Sequence, residues 1–170
     1  MSRVDIYGEE HTVDERNRVE WAILDNHRRD PYQFLLCEEL GPYAWHTPKE
    51  ITQAIKDRMW SISPRGLELA LKLKIPAIGI DLWDDDVYAK DIKDKNGFAV
   101  NVSRSFFLRE TKMVDTIEEY RQKGRLAVMI GDAHLRTVAT KELGDPSLLW
   151  QRFRKDKQVV IYRSPCKEID

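Results

Sequence analysis

Only two cysteines occur in the 170 residues, Cys37 and Cys166, far apart and with no CxxC spacing. Neither a disulfide framework nor a redox pair is indicated, and Cys37, inside an apolar run, is expected to be a reduced core residue. No apolar run approaches the ~20 residues that cross a bilayer. The first residues, MSRVDIYGEEH, hold no apolar h-region, so no secretory signal is visible and a cytoplasmic protein is expected. Glycine is scarce, at 8 residues, and no glycine-rich phosphate loop is present, which disfavours nucleotide binding of the Walker or Rossmann type. An excess of either charge is also missing. Against 29 acidic residues stand 28 basic ones, a net charge of −1 that argues against nucleic acid or an anionic membrane as partner.

What is present suffices for one globular domain spanning residues 1–170. The hydrophobic fraction is 42%, enough for a core without disulfides or a structural metal. Charged residues reach 34%, above the roughly 25% of typical domains, so a densely charged surface is expected. Four short apolar runs have the length and continuity of strands covered on both faces: Val4–Tyr7, Gln33–Cys37, Pro76–Ile80 and Leu126–Ile130. Val159–Tyr162 is a fifth. Helix-start chemistry lies between them, at Thr12 with Glu15, Thr47-Pro48 with Glu50, Ser63-Pro64 and Asp145-Pro146. Apolar spacing continues each start, as in Ile51, Ile55 and Met59 or Leu67, Ala70 and Leu71. Asn96-Gly97, between Val87–Lys93 and the alternating Phe98, Val100 and Val102, predicts an inserted β-hairpin. The expected fold is α/β: a single three-layer α/β/α domain with a mostly parallel central sheet. Such sheets bind ligands outside the carboxyl ends of their strands.

Those ends are unusually polar. The first strand runs into Gly8-Glu9-Glu10-His11, the second into Glu38-Glu39, the third into Asp81 and the fourth into Gly131-Asp132-Ala133-His134. His11 and His134 thus occupy equivalent places, each after Gly-x-x at a strand-to-helix junction. With nearby carboxylates they suit general acid–base chemistry, or equally a two-His-one-carboxylate metal site from His11, His134 and Glu38. Phe106, Glu110, Met113, Ile117 and Tyr120 share one helix face, on which Glu110 is the lone charge; Arg109 beside it suggests either a bracing pair or a role in the site. Asp81 and Asp132 could orient a histidine or contact the substrate. His46 could reach over the site from the Gly41–Thr47 loop, and Arg65 could meet an anionic group, though a surface residue is the simpler reading of each. Asp84–Asp86 lacks the glycine and glutamate of a calcium loop, and a solvated turn is expected there.

These residues together resemble the erythromycin esterase/ChaN/TraB–Tiki superfamily, whose members share a G-E-x-H or G-x-x-H motif after the first strand, a glutamate after the second and a later G-x-x-H. Arg109 to Met113 (RETKM) is similar to the R-[DEN]-x-x-M helix of the esterase and ChaN branches, and Leu73–Asp81 (LKIPAIGID) to the strand end of the esterase branch. The resemblance covers about Val4 to Leu143. It implies a small hydrolase of ester, amide or related acyl bonds in which His11, helped by Glu38 or Glu9, activates water, while His134 and Arg109 polarise the substrate and Glu110 takes part. It leaves open a divalent cofactor (Mn, Zn or Co) and, as the alternative, a non-catalytic protein binding haem or an iron compound in the manner of ChaN. A small-molecule or peptide substrate is implied. The chain lacks the long helical insertions of full esterases, so the Gly41–Thr47 loop, the hairpin or a second subunit in a homo-oligomer is expected to shape the cleft.

Overall fold

The five apolar runs all become strands of one sheet. In the computed structural model, which describes residues 2–83, 94–96, 98 and 101–164, these are β1 (Val4–Glu9), β2 (Phe34–Cys37), β4 (Ala77–Gly79), β5 (Leu126–Gly131) and β6 (Val159–Tyr162). A two-residue strand that the sequence did not signal, β3 (Ala44–Trp45), adds an antiparallel edge, giving the order β3-β4-β2-β5-β1-β6 with every other pairing parallel. The period-two alternation of strand side chains sorts the core into two layers. Tyr7, Leu35, Cys37, Ala77, Ala127 and Met129 face helices α1 (Val13–Arg29), α2 (Pro48–Lys56) and α3 (Arg65–Leu73). Val4, Ile6, Leu36, Ile78, Val128 and Ile130 face α4 (Val102–Tyr120) and α5 (Leu148–Phe153). The three-layer α/β architecture is the one the apolar runs predict. Among the described residues no helix is long and apolar enough to cross a membrane.

Helix starts follow local hydrogen bonding more closely than they follow motif spelling. Thr47 closes a full capping box with Glu50, with Pro48 in the first turn. Thr12 accepts from the Glu15 amide at 3.3 Å, but the Glu15 carboxylate turns instead to Arg18 and Ser164, so that box closes on one side only. Pro64 occupies the cap of α3, and Ser63 Oγ accepts from the Arg65 amide. The start expected at Asp145-Pro146 moves to Ser147, whose hydroxyl accepts from the Trp150 amide at 3.0 Å. Met59 lies beyond the end of α2 and is exposed. Of the expected hairpin, residues 87–93, 97, 99 and 100 lie outside the described residues. Asp94 N–H donates to Phe98 O at 2.7 Å, and Val102 opens α4 rather than ending a strand, because Asn101 caps that helix by accepting from the Arg104 amide. The acidic run 84–86 and Cys166 also lie outside the described residues.

A buried polar chain ties the layers together toward the amino end of the sheet. Asn26 Nδ2 donates to Tyr7 OH (2.6 Å), and the Tyr7 and Tyr32 hydroxyls lie 2.8 Å apart. Tyr32 OH donates in turn to Asp5 Oδ2 (2.8 Å). Asp5 is fully buried and also accepts from Arg125 Nη2 (2.7 Å) and Arg3 Nε (2.9 Å). Removing a buried carboxylate leaves its cationic partner uncompensated. Asp5→Ala is therefore expected to cost about 3–5 kcal/mol of folding stability, read from urea unfolding. A loss below ~1 kcal/mol would mean that water replaces the carboxylate at little cost.

Candidate functional site

The order β4-β2-β5-β1 makes neighbours of the four polar strand ends. Two of them tighten at once into single turns of 3₁₀ helix, Glu38–Leu40 after β2 and Asp132–Leu135 after β5, and so turn Glu38 and His134 inward over the sheet edge. The first turns of α4 cross the same end and deliver Phe106, Arg109 and Glu110. Between these elements lies a cavity of about 260 Å³ lined by His11, Glu38, Ile62, Trp83, Phe106, Arg109, Gly131, Ala133 and His134.

His134 is the pivot. Its Nδ1 is 3.2 Å from Glu110 Oε1 and its Nε2 is 3.3 Å from Glu38 Oε1, and Phe106 stacks on its ring at 4.5 Å. Burial by itself would lower the imidazole pKa, but the two carboxylates outweigh it and raise it. With a carboxylate at each nitrogen, the ring has the geometry that stabilises an imidazolium, which would donate in both directions, over either neutral tautomer. Its partners respond in kind. Burial would raise the Glu38 carboxyl, yet His134, Arg109 and the Gly131 N–H, which donates to Oε2 at 2.6 Å, hold it far below the usual carboxylate range. Glu110 is fully buried and is lowered against its burial by His134, by the Leu148 N–H at 2.9 Å and by Arg136, which donates to Oε1.

The adjacent pair on α4 thus diverges instead of bracing itself. Glu110 pairs with His134 and Arg136, while Arg109 turns to the other side of the cavity. There Nε and Nη2 fork onto Asp81 at 2.6 and 2.8 Å, and Nη2 also donates to Glu38 at 2.8 Å. Nη1 makes no hydrogen bond among the described residues. Asp81, fully buried, anchors Arg109 and the Leu82 amide.

His11 sits at the mouth and is exposed. A Cβ on Gly131 would lie 3.2 Å from Glu38 Oε2 and 3.3 Å from His11 Nε2, so the missing side chain leaves room for both over the strand end. On its other side is a carboxylate pair. Glu9, Glu39 and His11 place potential ligand atoms within 4.8 Å of one another. Arg65 forks onto Glu9 at 2.6 and 2.7 Å, whereas Glu39 has Arg16 at 3.1 Å and Arg65 at 3.9 Å as ion-pair neighbours but neither of its buried oxygens accepts a hydrogen bond among the described residues. Both Glu38 and Glu39 are buried, and it is Glu38 that lines the cavity.

The remaining expected residues lie farther back. Arg65 is engaged with Glu9 and the Arg16 carbonyl. His46 is exposed, and its amide donates to Glu50 at the start of α2. Asp132 accepts a fork from Arg163 at 3.0 and 2.7 Å and the Ser164 amide at 3.0 Å, clipping the segment after β6 onto the loop that carries His134. Arg136, Arg16, Ile62 and Trp83 escaped sequence reasoning. None belongs to a motif, and only the lone charge at Glu110, which demanded a partner, signalled that a cation such as Arg136 had to exist.

No family model and no curated protein matches the sequence. Among solved structures, the fold is similar to RRSP, a MARTX toxin effector domain from Vibrio vulnificus CMCP6, with a TM-score of 0.58 and 13% identity over 97% of this chain. The likeness covers 34% of that protein's chain, so this chain spans about a third of its length. At that identity the likeness shows the shared α/β fold alone.

The charge sandwich has a pH signature. The stability that His134 supplies is fully present below the ordinary imidazole value of 6.5 and is lost as pH rises through its raised value in the folded protein. Glu38 acts oppositely: its contribution is present above the ordinary carboxylate value and is lost as pH falls through the lowered one. His134→Ala is expected to cost about 3–5 kcal/mol at pH 6, by leaving two buried carboxylates without their cation. It should also flatten the alkaline decline of stability expected of the wild type. Parallel pH curves for the two proteins in urea unfolding would contradict this electrostatic account.

Proposed function

We propose that the chain is a hydrolase of an ester, amide or related acyl bond, in which His11 takes the proton from an attacking water. The observation that carries this reading is the convergence of His11, Glu38, Arg109 and His134 on one cavity at the strand ends. His11 is the histidine of the site with an exposed ring, and a general base must exchange its proton. The gap over Gly131, flanked by His11 Nε2 and Glu38 Oε2, is where water would be oriented. His134 and Arg109 supply fixed positive charge on the far side. Both are locked by carboxylates before substrate arrives, so they can stabilise a developing oxyanion without reorganising. Arg109 Nη1 is the donor left to contact it, and as the oxyanion collapses and the acyl C–O or C–N bond breaks, the His11 imidazolium returns its proton to the departing alcohol or amine. Glu110, Asp81 and Arg136 touch neither water nor substrate in this scheme; they hold His134 and Arg109 in place.

A metal-assisted version does not suit His11, His134 and Glu38, because both nitrogens of His134 and both oxygens of Glu38 already face partners. Glu9, His11 and Glu39 have the spacing of a ligand set, but Arg65 and Arg16 already offset the charge of its carboxylates. The proposed mechanism accordingly uses the protein's own groups. Enclosing a haem macrocycle is not favoured by a cavity of about 260 Å³, below the ~300–1,000 Å³ of pockets that take drug-sized ligands.

On an activated ester such as p-nitrophenyl acetate, His11→Ala is expected to lower kcat/KM about 10²–10⁴-fold, with unchanged circular dichroism. Glu38→Gln should lose activity as well. Dialysis against a chelator should leave the rate unchanged, and added manganese or zinc should not raise it. Equal rates for wild type and His11→Ala would refute the assignment, and loss on chelation restored by one metal would establish the metal-assisted version.

A further inference from the structure

Resting on that reading for the identity of the site, we infer that its substrate is an uncharged carbonyl compound whose acyl side is a compact apolar or aromatic group. Carboxylates, phosphates and ammonium compounds of the same size are rejected. Three independent features of the cavity lead there.

The first is the wall. Ile62, from the segment between α2 and α3, Trp83, two residues beyond Asp81, and Phe106, on α4, line one cavity with Gly131 and Ala133. Ile62 is 49% exposed, and large apolar surface left open to water at a concave site is what an apolar ligand group covers. Phe106 is braced by its stack on His134, and the Arg109 guanidinium lies 5.0 Å from the Trp83 ring and 5.6 Å from the Phe106 ring. Neither guanidinium nor imidazolium can swing away without losing buried ion pairs, so the wall is preformed.

The second is the charge. Among the described residues around the cavity, Glu38, Asp81 and Glu110 are set against Arg109, Arg136 and His134, and farther round Glu9 and Glu39 are set against Arg65 and Arg16. Each cation is already engaged by a carboxylate. An anionic ligand reaching Arg109 Nη1 would meet a guanidinium whose charge Asp81 and Glu38 already offset, and would lie against those two carboxylates, whereas a cationic one would have to displace an arginine. Either loses more than it gains where desolvation is expensive. A neutral carbonyl needs a single donor, which Arg109 Nη1 can provide without breaking its fork on Asp81.

The third is the size. About 260 Å³ admits one ring or a short branched acyl group, and a larger substrate would present such a group while the rest stays outside.

Benzamide, benzoate and benzamidine share a ring and nearly a shape while carrying charges of zero, minus one and plus one. Titrated into the purified protein and followed by calorimetry, benzamide is expected to bind. The two charged analogues should bind at least about tenfold more weakly, a factor that corresponds to ~1.4 kcal/mol. Phe106→Ala should weaken benzamide at least tenfold. Because Phe106 packs on His134, Ile62→Glu serves as a second variant on an exposed segment, placing a charge on the wall, and should weaken it similarly. Benzoate binding as tightly as benzamide would overturn the inference. So would failure of all three to bind, or benzamide binding indifferent to both substitutions. Comparing binding with turnover in the unaltered protein separates this from the hydrolase reading, because benzamide binding is read without any ester being cleaved. Benzamide selectivity without any turnover would retain the ligand class and remove the hydrolase, whereas turnover favouring anionic esters would do the reverse.

Discussion

His134 cannot be discharged or moved without exposing a buried carboxylate on each side of it, and the rest of the strand-end architecture follows from that constraint. An imidazolium between Glu38 and Glu110 needs both acids ionised out of reach of bulk water, and each acid needs further support. Glu38 obtains it from Arg109 and the Gly131 amide, Glu110 from Arg136 and the Leu148 amide. Arg109 in turn requires Asp81 at the end of β4. One ring thus links β4, β2 and β5 to the helices α4 and α5. Replacing any one member strands its neighbours, which is why the effects of substitution here should not add.

The same constraint divides labour at the site. Groups inside the network are fixed in charge and direction, a property suited to stabilising charge that appears during reaction and unsuited to shuttling protons. His11 stands outside the network, exposed at the mouth, with the balanced Glu9–Arg65 and Glu39–Arg16 pairs behind it. Among the described residues the near-zero net charge of the chain is repeated locally, since the acids around the cavity are set against an equal number of cations beside one apolar wall.

Much of this was legible from the residues in order. Continuous apolar runs located the five main strands because both faces of the sheet are covered, and the rule that ligands lie at carboxyl ends led to His11, Glu38, Asp81 and His134. The lone acid on the apolar stripe of α4 marked Glu110 as a buried group in need of a partner. Pairings were less accessible. Arg109 and Glu110 are adjacent in sequence but separate in space, since successive helix residues point about 100° apart, and their partners come from the segments that follow β2, β4 and β5 and from the start of α5. The edge strand β3 is two residues long, too short to carry a periodic signal. Asp132, expected to serve a histidine or a substrate, engages Arg163 beyond the last strand, a contact that depends on β6 lying next to β1.

The charge state of His134 is the most direct measure of this account. Long-range ¹H–¹⁵N correlation of the histidine rings at pH 7, with His134 assigned by substitution, reports the two nitrogens separately. Protons on both, giving the paired shifts of an imidazolium, are the predicted result. One protonated and one bare nitrogen, the pattern of a neutral tautomer, would contradict the central claim that this site is built around a buried cation held between two acids.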